Sequence, residues 1–129
     1  MAGITKGQFE HSNDIRPFAD GTGHLSMLDI NGMAVGRAVF EPGWRWSDHV
    51  KPLAGTSSCQ VAHAGYLISG HLTVRMEDGS EENFNPGDVM VIDPGHDAWT
   101  VGQEPCVMLD WQGAINYAKP TADTTTTST

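Results

Sequence analysis

The chain has 129 residues and a mass of 13.9 kDa, enough for one domain that buries on the order of two-thirds of its unfolded surface and too little for a second. Sixteen acidic residues against seven basic ones give a formal charge of −9, which repels phosphate backbones and anionic membrane surfaces and argues against nucleic acid as a partner. The longest apolar stretches, such as Val89 to Ile92, fall far short of the roughly 18 to 20 residues of a membrane span, and Met1 to Lys6 opens no hydrophobic signal core, so a soluble, cytoplasmic protein is expected.

The first dozen residues are weakly patterned, and a single domain is expected over residues 13–117. Fifteen glycines and seven prolines punctuate the chain, at roughly the ten-residue spacing of short antiparallel strands. Leu25 to Ile30 and Met33 to Phe40 flank Asn31-Gly32, the pair that supplies two positive φ angles to a type I′ hairpin turn. In a second hairpin, Leu72, Val74 and Met76 alternate with polar residues, Asp78-Gly79 turns the chain, and the return strand runs toward Phe84. Its tip carries Glu77, Asp78, Glu81 and Glu82, which keep an edge soluble.

Pro86-Gly87-Asp88 turns into the apolar run Val89 to Ile92, which reads as a buried strand and is stopped by Asp93-Pro94-Gly95. Further strands are expected over Ala98 to Val101 and Cys106 to Trp111. Six threonines crowd Thr121 to Thr129 with little to bury, so residues 118–129 read as a disordered tail. About nine or ten short strands with little helix make the fold all-β, antiparallel, and either a sandwich or a barrel.

Two turn-strand-turn blocks separated by a hairpin resemble the paired motifs of the cupin superfamily, which implies a double-stranded β-helix, or jelly roll, over about residues 33 to 112. In the first block Gly43 is followed by five residues and His49, Lys51 stands at the second histidine position, and His63, separated from Gly70 by six residues, takes the place of the glutamate. In the second, Gly87 and Gly95 are in register, Pro94 has slipped by one, and Ala98 and Gly102 stand at the histidine and asparagine positions. His96 lies two residues before Ala98 and shares its parity.

The resemblance implies a divalent metal, zinc, iron, manganese or nickel, at the centre, with His49 and His63 facing one another as ligands and His96 at the rim. Cys59 shares a strand face with His63 and is a further donor. Three or four such donors converging within about 2.0 to 2.3 Å would hold the ion. Without a secretion signal, Cys59 and Cys106 otherwise read as thiols. Trp46, Tyr66 and Trp99 offer aromatic walls for a substrate pocket, and Asp48, Asp97 and Asp110 offer carboxylates to orient a histidine. An inward Lys51 repels a cation and would instead bind a carboxylate or act as an acid or base.

No nucleophile elbow, phosphate-binding loop, dinucleotide fingerprint or CxxC pair is present. Two functions are open: a metal-dependent enzyme acting on a small organic molecule, by dioxygenation, isomerisation or lyase chemistry, and a non-catalytic or sensory module that binds a small ligand. A homodimer is the candidate assembly.

Overall fold

The structure is a computed structural model and describes residues 3–112. The described residues form nine strands: β1 (Asp14–Pro17), β2 (Gly23–Ile30), β3 (Met33–Phe40), β4 (His63–Ser69), β5 (His71–Met76), β6 (Glu81–Phe84), β7 (Val89–Ile92), β8 (His96–Val101) and β9 (Cys106–Asp110). Two single-turn helices, α1 (Trp46–His49) and α2 (Lys51–Ala54), sit between β3 and β4. The strands make a six-stranded sheet in the order β1-β2-β3-β9-β4-β7 and a three-stranded sheet in the order β6-β5-β8. Every pairing is antiparallel, so the all-β expectation holds.

The two hairpins form where turn chemistry places them. Asn31 and Gly32 take φ 54° and 89°, Ile30 pairs with Met33, and the Asp29 carboxylate accepts the Gly32 N–H at 2.8 Å. Met76 and Ser80 close the second turn, with Gly79 at φ 93°. One apolar cluster then spans both sheets: Leu25, Ala38, Leu67, Met90, Cys106 and Met108 from the larger meet Leu72, Val74 and Ala98 from the smaller. Phe18, Phe40 and Trp44 close one end, with the Phe40 and Trp44 rings 4.1 Å apart.

Several expectations change. The run Val89 to Ile92 is a strand, but it lies at the edge of its sheet: Met90 and Ile92 point into the core, whereas Val89 and Val91 are 66% and 74% exposed. A strand buried on both faces needs neighbours on both faces, and β7 has its core on one side only. β8 starts at His96, two residues earlier than expected. Residues 46–54 coil into helical turns where no helix was expected, and the 3-10 turn Phe9–His11 packs back on the sheet through Arg37, whose guanidinium lies 5.0 Å from the Phe9 ring. The tail expected over 118–129 falls outside the described residues. Among those residues no helix is long and apolar enough to cross a membrane.

β4 and β9 approach so closely that Gly65 admits no side chain: a Cβ there would meet the Leu109 carbonyl oxygen at 2.1 Å. Gly65→Ala is expected to lower unfolding stability by about 1–3 kcal/mol, read from urea midpoints. Gly3→Ala, with open space around it, should stay within about 0.5 kcal/mol of the parent.

Candidate functional site

Four side chains from four segments converge between the sheets at one end. His63 opens β4 and Asp110 closes β9. Because Gly65 pairs with Asp110, His63 and Asp110 are same-face diagonal neighbours on adjacent strands. His96 opens β8 in the other sheet. Cys59 comes from the segment between α2 and β4 and is bridged to His96, with the Cys59 N–H donating to the His96 carbonyl at 2.7 Å and the Gly95 N–H donating to the Cys59 carbonyl at 2.7 Å. Cys59, His63, His96 and Asp110 are all buried.

The hydrogen bonds fix which ring atoms face inward. The His63 Nδ1–H donates to the Asp110 carboxylate at 2.5 Å, and the His96 Nδ1–H donates to the Asp93 carbonyl at 2.8 Å. A carbonyl or carboxylate only accepts, so each ring carries its proton on Nδ1 and turns Nε2 inward. The His63 Nε2 lies 3.8 Å from the Cys59 Sγ, and the two rings meet edge to face with centroids 5.3 Å apart. One donor atom from each of Cys59, His63 and His96 lies within 4.8 Å of the other two.

Burial alone pushes the Cys59 thiol up, but the hydrogen bonds and charges of His63 and His96 outweigh it and bring it down to about 6. Burial pushes His63 down, and the Asp110 and Cys59 contacts more than reverse this, raising it to about 9. Without a metal the pair is therefore a thiolate beside an imidazolium at neutral pH. Cys106, buried with no such partner, is pushed up to about 12 and is an ordinary core thiol. Neither cysteine is in a disulfide.

His63, His96 and Cys59 thus come together, and His49 does not join them. Residues 46–49 form a helical turn instead of a strand, so the His49 ring folds back on its own turn. Its Nδ1 accepts the Arg45 N–H at 3.0 Å, and its Nε2 lies 3.8 Å from the Asp20 carboxylate.

Lys51 is exposed on α2, turned outward by that helix, and puts no ammonium into the site. The expected pocket walls are elsewhere too. Trp46 is packed into the core on α1, Tyr66 has the outward parity of β4 and is 39% exposed, and Trp99 has the outward parity of β8, where its ring carries the Arg45 guanidinium at 4.2 Å. Of the three aspartates, only Asp110 holds one of the clustered histidines; Asp97 accepts the Ser47 N–H at 3.0 Å and faces Arg45, and Asp48 is exposed.

The cavity beside the histidines measures about 30 Å³ and is walled by aliphatic side chains, among them Leu25, Leu72, Val74 and Met108, with His63, His96 and Asp110. That is room for one or two water molecules. Ala98, at the position where the resemblance expects a histidine, lines the same cavity. The anchoring Asp93 carbonyl was the part invisible in the sequence, because a main-chain acceptor leaves no residue-type signal.

No protein-family model matches the chain, and no curated protein matches it. Solved structures do. A protein of unknown function from Acidithiobacillus ferrooxidans shares 20% identity over 84% of this chain and 89% of its own, with a TM-score of 0.56. A sugar phosphate isomerase from a cupin superfamily, from Silicibacter pomeroyi, shares 17% over 81% and 73%, with a TM-score of 0.57. An oxalate decarboxylase of Lactobacillus farciminis, solved as a formate complex, shares 21% over 81% of this chain and 33% of its own, with a TM-score of 0.54. At such identities the likeness is one of fold.

In metal-free protein, the ultraviolet thiolate absorbance of one cysteine is expected to titrate near pH 6 and to vanish in Cys59→Ala. The folded value lies below the ordinary 9.0 of a thiol, so this group's stabilisation is complete above pH 9 and is lost as pH falls through about 6. Asp110→Asn should move the midpoint upward, because the imidazolium facing the thiolate loses its support. A single transition above pH 9 for both cysteines contradicts this assignment.

Proposed function

The chain has the cupin fold, and we propose that on it Cys59, His63 and His96 hold one divalent metal ion that serves an enzyme acting on a small organic molecule. The observation that carries this reading is the anchoring of both imidazoles through Nδ1, which presents two Nε2 atoms and a thiolate to one point.

The residues fit the ion in charge and in kind. A thiolate and the Asp110 carboxylate together balance a dication, Lys51 is turned away, and sulfur with two imidazoles suits zinc, iron or nickel better than manganese, which prefers oxygen. When bound, such an ion supplies Lewis-acid polarisation at the positions the protein leaves open. The rest falls to the chain: Asp110 holds the His63 proton at Nδ1, the Asp93 carbonyl orients His96, and the aliphatic wall keeps bulk water out.

A second reading, a non-catalytic module that binds or senses a small ligand, is favoured by one observation. Ala98 lines the cavity at the position where the resemblance expects a ligand histidine, so one usual donor is missing. In either reading a homodimer has a face to use, the exposed Tyr66, Ile68, Val89 and Val91 on neighbouring strands β4 and β7.

Metal analysis of purified, untagged protein after gel filtration is expected to find about one equivalent per chain. His63→Ala should lose most of it, whereas His71→Ala and His49→Ala should keep it, since neither ring is in the cluster. Equal retention by His63→Ala, or a metal-free parent, contradicts the assignment. Native mass spectrometry separates the two readings: a chain that retains one metal equivalent favours the first, and a metal-free chain with an organic molecule bound favours the second.

A further inference from the structure

Resting on the metal reading above, we infer that the segment 56–62 is a strap beside the cluster whose docked position is locked by metal ligation through Cys59. The strap joins α2 to β4 and has no ladder of its own. Among the described residues, its hydrogen bonds to the rest of the chain run through two positions. Cys59 exchanges three main-chain bonds with Gly95 and His96, and the Ser58 hydroxyl donates to the Glu77 carboxylate. The other bonds, from Thr56 to the Ser58 carbonyl and from Gln60 to the Ser58 hydroxyl, stay inside the strap. Ser58 and Cys59 are its only buried residues, and Val61 adds a half-buried contact with the core.

The strap begins at Gly55, which caps α2 in the left-handed region at φ 78° and gives the chain a pivot. It ends at His63, which is locked by Asp110 and by its place in β4. Between these ends it carries one donor to a cluster whose other two donors sit on strands. An ion shared by Cys59, His63 and His96 therefore ties the strap to both sheets at once. Without the ion the same docked position rests on the bonds of Cys59 and on Ser58 with Glu77, a slight hold beside a strand ladder.

The cavity beside the cluster is lined by strand residues, among them His63 and His96, and the strap touches it only through Cys59 beside those two rings, so the strap is the part of the cluster that can yield. Loading the metal then fixes the strap in place, and its loss frees it. The Gly95 amide is a built-in reporter: it belongs to the turn before β8 but donates to the strap's Cys59 carbonyl.

Amide exchange measured by NMR on chelator-treated protein, with and without added zinc ion, tests this. Zinc is expected to slow the Cys59 and Gly95 amides by tenfold or more, while amides of the β2–β3 hairpin change little. Ser58→Ala keeps all three donors, so its strap amides should exchange faster without zinc and return to slow exchange with it. In Cys59→Ala, whose folding is checked by the β2–β3 amides, zinc should leave the Gly95 amide unchanged. Calorimetry on the same samples separates the failures. Zinc that binds without slowing Cys59 and Gly95 overturns the strap and leaves the metal centre standing, whereas zinc that does not bind overturns both.

Discussion

The contact between His63 and Asp110 is the constraint around which the site is arranged. Asp110 is 3% exposed, and a carboxylate so far from water must be paired or neutralised. Its partner is the His63 Nδ1–H, on the neighbouring strand and the same face. That bond does three things at once. It settles the charge of Asp110, fixes the tautomer of His63, and aims Nε2 at Cys59. The close approach of β4 and β9 at Gly65 sets the separation at which the contact forms, so packing of the sheet and chemistry of the site share one origin.

The same arrangement accounts for a buried polar cluster that is satisfied with or without an ion. In the absence of metal, a proton resides on His63 and the negative charge on Cys59 is balanced beside it. A metal held by Cys59, His63 and His96 would require that proton to leave the His63 Nε2. Affinity is therefore coupled to pH, weakening on acidification as the thiolate is protonated.

Much of the fold was legible because strand alternation and turn chemistry are local. Asn31-Gly32 and Asp78-Gly79 announce their hairpins, and the pairing follows. The run Val89 to Ile92 misled, since four apolar residues in a row carry no record of whether one face or both will be covered; sheet order decides that, and sheet order is not local. In the site, the shared parity of Cys59 and His63, and of His96 and Ala98, pointed to side chains that the fold brings together. His49 was out of reach because motif spacing presumes a strand where residues 46–49 coil. Lys51, Tyr66 and Trp99 followed from the same assumption that a side chain near the motif faces inward. Asp110 was visible as a carboxylate, but its choice of His63 depends on the β4 to β9 register, which only the folded chain displays.

The central claim is that one thiolate and two imidazoles ligate a single ion. X-ray absorption on the zinc-loaded protein measures this most directly. The account predicts one sulfur scatterer at about 2.3 Å together with the multiple-scattering signature of two imidazoles, and loss of the sulfur in Cys59→Ala. A zinc shell of nitrogen and oxygen alone, unchanged by that substitution, would contradict it.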